Sequence, residues 1–133
     1  MNHYRRNNEA TQRIAERRRR EDEAPRLIAE CPTLATLRLE LHEQSGGSPV
    51  AEPGHVRRIV VAHAPALFDL PCGDPRCKDG GHDMTRLVLD GLRHKEERFE
   101  GEDACNGSTG TGRCSRSIHM IAIATYNAAP SAT

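Results

Sequence analysis

The pattern of hydrophobic and polar residues predicts strands in three main stretches of the chain. Across 33–43, Thr33, Ala35, Leu37, Leu39 and Leu41 fall on one side, and Thr36, Arg38, Glu40 and His42 on the other. A period of two places successive side chains on opposite faces, so this is a strand with one face buried. Val56–His63 predicts a second strand, and its Ile59-Val60-Val61 run predicts a place well inside the sheet. Between them Gln44–Gly54, with Gly46-Gly47-Ser48-Pro49 and Pro53-Gly54, reads as a loop, so the two strands form a hairpin with a long connection. The third stretch, Arg113–Tyr126, alternates Ile118, Met120, Ala122, Ala124 and Tyr126 against Ser117, His119, Ile121, Ile123 and Thr125. Both of its faces become apolar late in the run, which predicts a central strand. Arg98–Glu102 is a shorter strand beside it.

One segment changes period. Met84, Leu87, Val88, Gly91, Leu92 and the stem of Lys95 recur at three- and four-residue steps, which predicts a helix from an Asp83 N-cap to about Glu97. Gly91 weakens helix propensity and is expected to permit close packing on the sheet. Residues 9–23 also look helical but are polar on every side. Such a helix crosses solvent, binds something charged or stays partly disordered. Pro25 ends it, and Arg26–Glu30 fits a short turn. Residues 64–82 hold Pro65, Pro71, Pro75, Gly73, Gly80 and Gly81, too many breakers for regular structure. The expected fold is α+β: a small antiparallel sheet of about four strands, one packed helix, a cysteine-bearing loop and a charged N-terminal helical arm. The expected boundaries are 1–25 for the arginine-rich arm, helical or disordered, 26–127 for a zinc-stapled domain, and 128–133 for a frayed tail.

Composition sharpens this picture. The 133 residues include only four aromatics, Tyr4, Phe68, Phe99 and Tyr126. A core built from Leu, Ile, Val and Ala in so short a chain is thin, and a staple would compensate. Net charge is zero, yet of 19 basic and 19 acidic residues, seven arginines and two glutamates lie within residues 1–20. The rest therefore carries twelve basic and seventeen acidic residues, a basic arm on a mildly acidic body. No apolar run follows the N-terminal charges and none approaches the ~20 residues of a membrane span, so a cytoplasmic protein with no membrane partner is expected.

Candidate chemistry centres on cysteine. In a reducing compartment, an odd count of five points away from a pure disulfide framework. Cys72 and Cys77 lie five apart on the Gly/Pro-rich loop; Cys105 and Cys114 bracket the glycine-rich tip of the last hairpin, where their thiols can meet at its base. Two close pairs from separate segments suit one structural Zn2+ per chain, which takes four Cys or His ligands in a tetrahedron. His82 continues the five-residue spacing, so four cysteines or three cysteines plus His82 both satisfy the pattern. Cys31 reads as core but stands near enough in sequence to be drafted in.

Other motifs are weaker. His63-Ala-Pro with Pro71-Cys72 lacks the glutamate of the zinc-deaminase pattern, Pro65 standing in its place. Gly107–Gly112 lacks the lysine and strand-to-helix context of a phosphate loop. His82-Asp83 is explained by capping.

A zinc-binding interaction or assembly module follows as the leading function. Its partner would be nucleic acid, reached through Arg13, Arg17, Arg18, Arg19 and Arg20, or an acidic protein surface. The scarcity of aromatics argues against base stacking. An enzymatic alternative is zinc- or thiol-dependent: it needs an open metal site near Cys72, Cys77 and His82 with Glu100, Glu102 or Asp103 as base, or a reactive Cys77 thiol with His82 as its base.

Overall fold

The computed structural model describes residues 2–45, 54–74, 76–77, 80–110 and 112–128, and the side chains from Thr11 onward, except that of Ser45. The chain runs through α1 (Asn2–Glu23), α2 (Leu27–Glu30), β1 (Leu34–Ser45), β2 (His55–Ile59), β3 (Asp69–Pro71), β4 (Gly81–Asp83), α3 (Thr85–Arg93), β5 (Arg98–Ala104), β6 (Ser108–Thr109), β7 (Gly112–Arg113) and β8 (Arg116–Tyr126). Four strands form one antiparallel sheet in the order β2-β1-β8-β5, and the small pairs β3-β4 and β6-β7 stand apart from it. This is the α+β class the alternation predicts. Of the long connection expected over 44–54, residues 46–53 lie outside the described residues, as do residues 129–133 of the expected tail.

Burial follows the alternation on one face. Leu37, Leu39 and Leu41 of β1 and Ile118, Met120, Ala122 and Ala124 of β8 are buried together with Leu27, Phe68, Val88 and Leu92. At the start of β1 the phase slips: Leu34, not Ala35, is buried, because an irregularity in the pairing with β8 falls between Leu34 and Thr36. The chain enters this core beside α2. There Leu27 N–H donates to the Ala64 carbonyl at 2.9 Å and Ala66 N–H to the Pro25 carbonyl at 2.7 Å.

β8 is central as expected, flanked by β1 and β5, whereas β2 is an edge strand. The run Ile59-Val60-Val61 does not lie inside the sheet. The strand ends at Ile59, Val60 is 66% exposed, and Val61 turns back into the core. Three β-branched residues in a row mark a strand interior only if both faces are covered, and here the chain leaves the sheet instead.

α3 is also shorter than its periodicity implies. It ends at Arg93, and Lys95 takes a left-handed φ of 54°. Asp83 belongs to β4 and Met84 occupies the N-cap, but the Asp83 carboxylate still accepts the Thr85 amide at 3.1 Å. The helix therefore starts one residue later than expected, and the Asp83 carboxylate reaches its first amide from the residue before the N-cap. Gly91 faces the Phe99 ring so closely that a Cβ there would lie 2.6 Å from it, which is the close packing its place in the helix implies.

Candidate metal centre

The buried face of the sheet changes character at one end. The β1 column Leu37-Leu39-Leu41 continues to Glu43, and the β8 column Ala122-Met120-Ile118 continues to Arg116. Arg116 Nη2 and Nε donate to Glu43 Oε2 at 3.0 and 3.2 Å, and both side chains are about nine-tenths covered. Oε1 of the same carboxylate accepts the Gly73 amide at 3.1 Å, which ties the loop after β3 to the end of the sheet. The ion pair is a buried bracket, and the segment it holds begins with Cys72.

The other half is built by the last hairpin. Cys105 directly follows β5, and its amide donates to the Arg116 carbonyl at 2.8 Å. Cys114 lies between β7 and β8, and its amide donates to the Gly107 carbonyl at 2.9 Å. The two cysteines thus flank the β6-β7 ribbon at its base, where the spacing places them. Cys77 is set by a turn in which its amide reaches the Asp74 carbonyl at 3.0 Å. Asp74 is itself clamped by the Arg76 guanidinium at 3.2 and 3.3 Å.

Cys72, Cys77, Cys105 and Cys114 come together so that their four sulfurs all lie within 4.8 Å of one another, close enough to hold a metal ion. Sγ of Cys72 lies 3.8 Å from Cys114, and Sγ of Cys77 lies 3.6 Å from Cys105. A disulfide needs about 2.05 Å. In contrast, four sulfurs bonded to one zinc at about 2.3 Å sit about 3.8 Å apart along the edges of the tetrahedron. All five cysteines are free thiols, and the fifth, Cys31, is buried in the apolar core away from this group.

The polypeptide around the sulfurs is shaped to accept negative charge. The Asp74 amide points at Cys72 Sγ at 3.5 Å, and the Gly107 amide at Cys105 Sγ at 3.4 Å. Two glycines press against the cluster: a Cβ on either Gly80 or Gly107 would stand 2.6 Å from Cys77 Sγ. No side chain fits between these backbones and the sulfurs. Burial pushes the Cys72 thiol far above its ordinary value and the Cys77 thiol up as well. Burial also acts upward on Cys105, but the Gly107 amide and the neighbouring thiols outweigh it and hold that group below the ordinary thiol value.

His82 lies outside the sulfur group. It is wholly buried on β4, its Nδ1 is 3.3 Å from Asp103 Oδ2, and its Nε2 is 4.0 Å from Glu43 Oε1 with no hydrogen-bond partner among the described residues. Asp103 pairs with Ile118 and shares the buried side of the sheet. Glu100 and Glu102 point to the opposite side, where His119 contacts them at 3.0 and 3.8 Å. The three acids named as candidate bases are therefore split between two faces.

On α1, Arg19 is spent on Glu16 and Glu23, and Arg20 pairs with Asp69. Arg13, Arg17 and Arg20 line an open cleft of about 850 Å³ together with the acidic Glu16, Asp69 and Asp83, and it reaches Gly80, Gly81 and Ser108. Arg18 is exposed and, among the described residues, has no acidic partner.

Sequence reasoning missed Glu43, Arg116, Gly80 and Gly107. The glycine signal was present, but it read as turn formation; only the folded chain shows that the two glycines give way to sulfur.

Comparison with family models, curated proteins and solved structures finds no match to this chain. No helix among the described residues is long and apolar enough to cross a membrane.

Proposed function

We propose that the protein is a small binding or assembly module whose fold is closed by one structural zinc ion held by Cys72, Cys77, Cys105 and Cys114. The convergence of four sulfurs from two separate segments carries this reading. Soft thiolate donors in a fourfold set favour zinc over hard cations such as magnesium or calcium. Four protein ligands leave no open position for water or substrate, so the centre acts as a staple rather than a reaction site. The thin, aromatic-poor core gives such a staple something to do.

The test is a substitution series read by zinc stoichiometry and thermal melting. Serine at any of the four positions is expected to remove the metal and lower the melting temperature. Cys31→Ser is expected to keep one zinc per chain, because Cys31 belongs to the core. Full zinc retention by Cys72→Ser and Cys114→Ser alike would overturn the ligand set.

A second reading is supported by the arginines on α1. Arg13, Arg17 and Arg20 line the cleft beside the cysteine loops, and Arg18 and Arg19 are exposed on the same helix. Binding of a polyanion there would rest on phosphate contacts. It would fall steeply with salt and show little sequence preference. Titration of a single-stranded oligonucleotide at two salt concentrations tests it; salt-insensitive binding, or none, removes it.

A further inference from the structure

The sheet has a second face, opposite the core, with a charge pattern that repeats across strands. Directly paired residues of antiparallel strands share a face, so the registers define rows. One row reads Arg58, Arg38, Ile123, Arg98 from β2 through β1 and β8 to β5. The adjacent row reads Val56, Glu40, Ile121, Glu100 in the same strand order. Ile121 and Ile123 are half-buried at the centre, Val56 is 52% exposed, and Arg58, Arg98 and Glu100 are exposed. Arg38 reaches Glu40 at 3.6 Å and His119 contacts Glu100 at 3.0 Å on the same face, but Arg58 and Arg98 have no acidic partner among the described residues.

We infer that this face is where a second copy of the chain docks, as a two-fold, face-to-face sheet pair. An isologous contact requires a patch complementary to itself. Place the two-fold axis between the rows and perpendicular to the strands. The arginine row of one copy then faces the glutamate row of the other, strand for strand. Arg38 meets the partner copy's Glu40, Arg98 meets its Glu100, and Ile123 meets its Ile121 in the middle. The stem of Arg58 covers Val56 at the rim. Sheets pack face to face about 10 Å apart, within reach of these side chains.

Charge order selects this occupant over a polyanion. A nucleic acid lying along the arginine row would meet the glutamate row about 7 Å away, two residues along each strand. Neither row offers an aromatic ring for a base to stack on. Four strands about 4.8 Å apart and two rows about 7 Å apart give a patch of roughly 270 Å² per copy. That lies below the roughly 800 Å² per partner of stable complexes, so the pair is weak and concentration-dependent, in the micromolar range or above.

The inference deepens the assembly half of the proposed function and rests on it, and its test separates the two. Sedimentation equilibrium is run on the full zinc-loaded chain at low salt, over tens to hundreds of micromolar, with zinc content measured on the same samples. The wild-type mass is expected to rise from monomer towards dimer. Arg98→Glu sets a second carboxylate against the partner copy's Glu100, and Glu100→Arg sets like charges of the opposite sign together. Each is expected to weaken self-association at least tenfold. An equimolar mixture of the two variants restores both attractive contacts and is expected to recover the dimer. A wild-type chain that stays monomeric with one zinc bound overturns the dimer and leaves the metal centre standing. Undiminished self-association of the single variants overturns the interface, as does a mixture that fails to recover. Retention of single-stranded RNA by the wild type that Arg98→Glu abolishes would give the face to the other occupant. Both substitutions lie on the exposed side of edge strand β5, and melting temperature checks that each variant is folded.

Discussion

At the scale of single residues, the four-sulfur cluster depends as much on absent side chains as on the cysteines. Gly80 and Gly107 allow backbone to lie against sulfur where a Cβ would stand 2.6 Å from Cys77 Sγ. Gly80→Ala and Gly107→Ala are therefore expected to abolish or sharply weaken metal binding while every ligand stays in place. Competition against a colorimetric chelator reads the loss, and unchanged affinity in both variants would contradict the packing. The thiols also set a sign for pH dependence. Cys72 and Cys77 are pushed above the ordinary thiol value by burial, so without metal both keep their protons at neutral pH. Zinc binds thiolates, so uptake must expel those protons, and acidification must favour the metal-free chain. At least two protons, those of Cys72 and Cys77, are expected to appear per zinc bound near pH 7. A weakly buffered indicator measures this, and release of fewer than two would contradict a four-thiolate set.

The elements show where sequence reading works and where it stops. β1 and β8 were legible because their alternation matches a sheet with one buried face, and Gly91 was legible as a contact residue. A Cβ there would collide with Phe99, so Gly91→Ala is expected to destabilise the fold by about 1–3 kcal/mol despite its better helix propensity. A chemical denaturation curve decides it, and a gain in stability would contradict the close packing. β2 misled because three apolar residues in a row do not reveal that the strand ends after the first of them. β3 and β4, three residues each, carry no periodicity at all, and their pairing depends on tertiary contacts between Asp69–Pro71 and Gly81–Asp83. The cysteine pairs were legible from spacing, yet two alternatives, His82 as ligand and three acids as a base cluster, needed the fold. Strand parity separates Asp103 from Glu100 and Glu102, and β4 carries His82 to Asp103 rather than to the sulfurs.

Across the whole molecule, one end of the sheet is held by charge and sulfur where the apolar core runs out. The Glu43–Arg116 pair joins β1, β8 and the Cys72 loop. Removing one partner of a buried pair leaves the other charge uncompensated. Glu43→Gln is therefore expected to cost about 3 kcal/mol, seen as a lower denaturation midpoint in the zinc-loaded protein. A loss below about 0.5 kcal/mol would mean the bracket carries no weight. Local order in α1 adds charge beside this end without enlarging the core: its described side chains are mostly exposed, and Arg20 ties it to Asp69. The measurement that bears most directly on the central claim is metal content and native mass of protein purified without added metal, followed by circular dichroism before and after chelation. One zinc per chain, lost on chelation together with the folded signal, is the expected result. A chain that purifies without metal, or that gives up its zinc and stays folded, would contradict a structural centre.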